Sequence, residues 1–219
     1  MEILLIQLEL LLLLFGVLVN RIDSPQKFFE SYPRKLEGAV EVVRRAFGRP
    51  DMDFGDIYDH LVSPEILFLM ENQDGNIAGM AAYNACSLAG ISSLIVEGIA
   101  MDPSIQARGI FRKVTDLVSS EKEIVCLRTQ NPNMYRALQN YCSQIYPGAN
   151  GMPLIVKSVR NDLAARLGCS IDDKGIARGY YGGLFYGKKP YHPEAGPFFE
   201  NTLGMDLEKG DALLVVGLK

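Results

Sequence analysis

This sequence has no basic surplus: 22 Lys+Arg stand against 26 Asp+Glu, for a net charge of −4. Phosphate neutralisation supplies most of the affinity of dedicated nucleic-acid binders, so that class is excluded. A single basic loop can still hold one small anion. Histidine is scarce too. His60 and His192 lie far in sequence from Cys86, Cys126, Cys142 and Cys169, and there is no C-x-x-C pair, so no metal site is expected. The irregularly spaced cysteines read as buried free thiols in a reducing, cytoplasmic setting. Internal repeats and low-complexity linkers are also missing, which favours one compact domain. At 219 residues and 48% hydrophobic, the chain can bury a core without disulfide or metal staples.

The longest apolar run, residues 3–19, is interrupted by Gln7, Glu9 and Gly16. It falls just short of the roughly 20 residues that a bilayer span requires. Its acidic start, Met1-Glu2, does not fit a secretory signal. Three readings stay open: an apolar helix or strand packed on the domain or on a partner chain, an extension from a misplaced start codon, and a membrane anchor. Residues 1–16 are therefore set apart from a domain over 17–219.

Beyond residue 20 the periodicity alternates. Residues 24–34 carry Pro25 and Pro33 and read as a connection. Leu36, Ala39, Val40, Val43 and Phe47 recur at helical spacing, so 35–47 is expected as an amphipathic helix, with a short one near 57–61. Residues 65–71 and 76–85 flank Asn72-Gln73-Asp74-Gly75, a hairpin signal, and a further strand is expected over 92–101. Helical periods follow over 110–120, 134–142 and 162–167, strands over 123–129 and 212–218, and an apolar run over 154–159.

The chemistry concentrates in Met101-Asp102-Pro103-Ser104-Ile105-Gln106-Ala107-Arg108-Gly109-Ile110-Phe111. This segment ends a strand, crosses a polar loop and opens a helix. Backbone amides at such a junction lack intrahelical partners and favour anions. Gly109 keeps a side chain away from an approaching phosphate, and Arg108 and Arg112 add positive charge.

The order strand, hairpin, strand, Gln106-x-x-Gly109-x-Phe111 loop, helix, strand, helix resembles the GCN5-related N-acetyltransferases. Their acetyl-coenzyme A loop follows Q/R-x-x-G-x-G/A. Met101-x-Pro103 is similar to the hydrophobic-x-Pro that ends the family's fourth strand, and Phe111 departs from the usual Gly or Ala. Ala137 and Tyr141, four apart, are similar to the family's Asn-x-x-Ala-x-x-x-Tyr. The likeness covers roughly residues 35–145 and implies a first strand near 17–22.

The fold so implied is α/β, a single domain with a central mixed, mostly antiparallel sheet flanked by helices. Acetyl-coenzyme A is the implied co-substrate, without a metal, and the acetyl group passes to an amine by direct attack in a ternary complex. The resemblance assigns the acetyl carbonyl to the backbone of Ile99, Ala100 and Met101. It assigns the diphosphate to Gln106, Ala107, Arg108, Gly109, Ile110, Phe111 and Arg112, with Asn131 as a further coenzyme contact.

Thioester aminolysis also needs a base and an acid. Glu97 interrupts an apolar strand four residues before Met101, where it serves as base or as an ordinary solvent-facing or ion-paired residue. Tyr141 is the thiolate's proton donor or a packed helix tyrosine. Tyr180, Tyr181, Phe185 and Tyr186, among glycines, read as a strand or hairpin that packs in the core or walls an acceptor pocket. The expected acceptor is a small-molecule or peptide amine, with membrane or homo-oligomer contact through residues 3–19 left open. A non-catalytic acyl-coenzyme A binding or regulatory module is the alternative.

Overall fold

The computed structural model describes residues 12–14, 16–148 and 151–219. These fall into two compact units, one formed by the described residues up to Asn84 with Val96–Val114, the other by Ala85–Ile95 with Thr115–Lys219.

In the first unit, β1 (Leu12–Leu14), β2 (Val17–Ile22), β3 (Ile66–Glu71) and β4 (Ile77–Leu88) pair antiparallel in sequence order. The strand expected near 17–22 is β2. Most of the 3–19 run lies outside the described residues, and no helix among those described is long and apolar enough to cross a membrane. The β3–β4 turn is the expected one: Asn72 Oδ1 accepts from the amides of Asp74 and Asn76 at 3.0 Å, and Gly75 takes φ +78°. β5 (Ile91–Met101) follows β4 through Ala89 and Gly90, both at positive φ, the signature of a two-residue hairpin. Both strands of this hairpin contribute residues to each unit.

Helices α1 (Pro25–Ser31), α2 (Pro33–Phe47) and α3 (Phe54–Val62) cover the sheet. Phe28, Phe29, Ala39, Val40 and Val43 pack with Leu67, Leu69, Met80 and Ala82 in one core. Residues 24–34 are thus not simply a connection. Pro25 and Pro33 each sit at a helix start, where the missing N–H costs nothing and the fixed φ suits the first turn.

In the second unit, β6 (Ile124–Thr129) runs antiparallel to β9 (Ala212–Leu218), which also pairs antiparallel with β7 (Gln144–Tyr146) and β8 (Ile176–Ala177). β6 enters beside β5, and the Glu123 amide donates to the Ser92 carbonyl at 3.0 Å where the two strands begin. The two strands thus run the same way and make an otherwise antiparallel sheet mixed. The expected α/β class is the one observed.

α4 (Ile110–Asp116) is shorter than the period over 110–120 predicts. Beyond it lies Ser119, whose hydroxyl is bound to a tyrosine and a lysine rather than facing helix solvent, and serine readily leaves helices for such bonds. α5 (Pro132–Tyr141) matches expectation. α6 (Leu154–Arg166) fuses the 154–159 run and the 162–167 helix, because Val156, Val159, Arg160, Leu163 and Ala164 form one buried face.

Candidate active site

The loop after β5 is fixed from behind by three side chains. Asp102 accepts from the Ser104 amide at 3.0 Å and the Ser104 hydroxyl at 2.7 Å, which caps the 3₁₀ turn Pro103–Ile105. Those bonds hold the Asp102 carboxyl below the usual carboxylate range, with Arg45 of α2 adding to the effect at 3.3 Å. Gln106 Nε2 donates to the Met101 carbonyl at 2.8 Å and so ties the loop back to the strand end. The buried Ile105 drops into the space that Gly79 leaves on β4, where a Cβ would lie 3.2 Å from Ile105 Cδ1.

On its outer side the loop is open. Residues 106–109 are exposed, and Ala107 and Gly109 take φ +58° and +73°. A Cβ built on Gly109 meets nothing within 4 Å, so glycine is required by backbone conformation and leaves clear space in front of the chain. The first bond of α4 runs from the Lys113 amide to the Gly109 carbonyl at 3.3 Å. The amides of Ile110, Phe111 and Arg112 therefore precede the helical ladder. Arg108, Arg112 and Lys113 are exposed around them, Phe111 is half-buried, and Ile110 anchors the turn in the core.

Upstream on β5, burial does not alternate: residues 93–96 are all buried. Glu97, Gly98 and Ile99 are all half-buried in succession, and Ala100 returns to the interior. Glu97 Oε1 accepts from Asn84 Nδ2 at 2.8 Å, and Asn84 Oδ1 accepts from the Glu65 amide at 2.8 Å. Glu97 joins no ion pair among the described residues, so the ion-paired alternative does not hold.

The other expected residues belong to the second unit. Tyr141 is the last residue of α5, and its hydroxyl donates to Asp116 Oδ1 at 2.9 Å and lies 2.6 Å from the Ser119 hydroxyl. Lys219 Nζ donates to Ser119 Oγ at 3.0 Å and to the Ser119 carbonyl at 2.6 Å. With the lysine able only to donate, the bonds run Lys219 to Ser119 to Tyr141 to Asp116. Burial pushes the Tyr141 phenol up to about 12; the Asp116 carboxylate adds to this and Ser119 opposes it.

Asn131 sits at the opposite end of the same helix. It caps α5, with Oδ1 accepting from the Asn133 amide at 2.9 Å. Ten helical residues separate it from Tyr141's end, about 15 Å of rise, so these two are not brought together.

The cysteines differ from expectation. Only Cys126 is buried; Cys86, Cys142 and Cys169 are half-buried. Burial pushes the Cys126 thiol up strongly and Cys142 to about 11, the opposite of nucleophile activation. No cluster of three potential metal-ligating side chains occurs among the described residues. His60 Nδ1 lies 2.8 Å from the Asp56 carbonyl one turn back in α3, and His192 Nδ1 accepts the Glu194 and Ala195 amides at 3.2 Å.

The aromatic stretch 180–187 is an irregular loop, not a strand. Arg128 draws it in, stacking 4.7 Å from the Tyr180 ring centre and donating to the Tyr180 hydroxyl at 2.8 Å. Gln130, buried, accepts from the Phe185 amide at 2.9 Å and donates to the Leu207 carbonyl at 2.9 Å. Gln130 thus bonds the loop's backbone, at the Gly183 carbonyl and the Phe185 amide, while Arg128 holds its tyrosine side chains.

Sequence reasoning missed Asp102, Asn84, Ser119, Asp116 and Lys219. Asp102-Pro103-Ser104 carries a readable capping signature, and Asn84 is a poor strand former inside a strand period. The other three are joined to Tyr141 only by folding.

No family model matches the chain, and no curated protein does. Among solved structures it is similar to the ribosomal-protein-S18-alanine N-acetyltransferase from Escherichia coli, at 16% identity over 84% of this chain and 86% of that one, TM-score 0.40. It is similar to the GNAT family N-acetyltransferase YhbS from E. coli in complex with CoA, at 17% identity over 50% of this chain and 63% of that one, TM-score 0.38. It is also similar to Arabidopsis thaliana NAA60 in complex with a bisubstrate analogue, at 15% identity over 52% and 82%, TM-score 0.38. Two of these three solved structures are described as N-acetyltransferases, one of them a GNAT family member.

Proposed function

We propose that this chain is an acetyl-coenzyme A-dependent N-acetyltransferase acting on a small-molecule or peptide amine. The observation that carries the reading is the loop at 102–110. It is pinned from behind by Asp102, Gln106 and Ile105, and it is exposed in front, with open space at Gly109. A diphosphate asks for this: backbone amides presented without side chains in the way, in a conformation fixed before binding. Arg108 and Arg112 supply the charge. Phe111, where Gly or Ala is usual, is half-buried.

Bound acetyl-coenzyme A supplies the activated acyl carbon. The amine nitrogen bonds to that carbon, the carbon–sulfur bond breaks, and sulfur leaves with the electron pair. Glu97 takes the proton that the nitrogen loses. The backbone of residues 99–101 receives the carbonyl oxygen, and the half-buried stretch 97–99 supports this, since a fully packed strand would offer no approach. Tyr141, in the second unit, is the proton donor to the departing sulfur that the resemblance implies.

A second reading has one observation in its favour. A phenol raised to about 12 gives its proton to a thiolate only uphill, because a thiol's ordinary value is near 8.5. A binding module without turnover needs no such donor.

Calorimetric titration with acetyl-coenzyme A, followed by an amine screen that reads released thiol, separates the two. Saturable binding with thiol release supports the enzyme. Binding without release across the screen supports the module, and no binding removes both.

A further inference from the structure

We infer that Asn84 is a positioning residue for the Glu97 carboxylate, an inference that rests on the reading of Glu97 as the base. Asparagine is depleted in strands, yet Asn84 stands half-buried in the middle of β4. Its two ends are both engaged. Oδ1 accepts from the Glu65 amide at 2.8 Å, and Nδ2 donates to Glu97 Oε1 at 2.8 Å.

The orientation of the amide is not arbitrary. A backbone N–H can only donate, so the Glu65 amide fixes which end of Asn84 is oxygen, and the NH₂ group must then face Glu97. The backbone at the start of β3 thereby sets the direction of a donor on β4, which in turn holds a carboxylate on β5. Oε1 is occupied by this bond, leaving Oε2 to accept a proton from an incoming amine.

The donor is neutral, which matters for a base. A lysine or arginine in its place would favour the charged carboxylate so strongly that it would lose its pull on a proton, whereas an amide orients it at smaller electrostatic cost. Among the described residues no ion pair competes for Glu97. The other titratable residue in the arrangement is Glu65, which takes part through its backbone.

Asn84→Asp is the discriminating variant. It retains an acceptor for the Glu65 amide and so the local fold, but it places a carboxylate oxygen against Glu97 where a donor stood. The Glu97 side-chain carboxyl, followed by carbon NMR in the full chain, is expected to titrate at least about one pH unit higher. The acid limb of kcat/KM is expected to move up by the same amount, with the largest loss of rate at low pH. Asn84→Ala, which removes both bonds, is expected to shift the titration upward by less and serves if Asn84→Asp does not fold.

An unchanged Glu97 titration in the variant that folds overturns the inference. A shifted titration in a chain whose Glu97→Gln form turns over normally is a different result: Asn84 holds the carboxylate, and the base assignment is the part that fails.

Discussion

Glu97 and Tyr141 are both half-buried and both hydrogen-bonded, but their surroundings differ in what remains available. Glu97 sits on a strand with one neutral donor on one oxygen and, among the described residues, no partner on the second. Tyr141 ends a helix with its hydroxyl donating to Asp116 and accepting from Ser119, so its one proton and its ready lone pair are already engaged. The first arrangement leaves a group ready to receive a proton. The second holds a proton in place. The contrast shows that a side chain of the right type at the right spacing is a functional group only to the extent that the fold leaves its valences open.

The sharpest way to break that contrast is at Glu97. Replacing it with Gln keeps the shape and a hydrogen-bonding oxygen but removes the base, and turnover is expected to fall by about 100-fold or more while acetyl-coenzyme A binding by calorimetry stays unchanged. Turnover within a few-fold of the parent would make Glu97 no more available than Tyr141 and end its role.

Next in size is Gly109→Val. A β-branched residue at φ +73° meets no neighbour but opposes the left-handed backbone. The conformational cost of about 1–2 kcal/mol corresponds to a loss of coenzyme affinity on the order of ten-fold, with the circular dichroism spectrum retained.

Tyr141→Phe is expected to act mainly on stability, costing less than about ten-fold in turnover because proton transfer from so weak an acid contributes little. The sign of its pH dependence comes from its raised value. Between the unfolded value near 10 and the folded value of about 12, the folded chain holds a proton that the unfolded chain has released, so stability is present below pH 10 and lost as pH rises through that window. The variant should lack this alkaline loss in denaturant titrations, and a turnover loss above 100-fold would restore Tyr141 as the acid.

The smallest effect belongs to the loop's support. Asp102 is held below its ordinary range, so its contribution is present above the unfolded value near 4 and fades as pH falls through the folded value. Asp102→Asn should therefore be less stable than the parent at pH 5–7, with the difference closing in acid. A gap that persists unchanged below pH 3 would assign the role to packing rather than to charge.

Elements with strong local periods were legible before folding. The β3–β4 hairpin announces itself through Asn72 and Gly75, and α2 through its apolar spacing, because these depend on residues only a few positions apart. Pro25 and Pro33 misled for a related reason: the same ring that breaks a helix interior suits its first turn, and only the helical run downstream of each proline tells the two cases apart.

The site divides along the same line. The residue types and spacing of 101–111 were local information, whereas the positive φ of Ala107 and Gly109 emerged only in the folded loop. Tertiary structure alone decided that Gln106 spends its amide on the Met101 carbonyl, that Asn84 faces Glu97, and that Ser119, Asp116 and Lys219 converge on Tyr141. Hydrogen bonds between side chains 13, 25 or 100 positions apart leave no periodic trace in the sequence, because the local spacing around either partner does not encode the other.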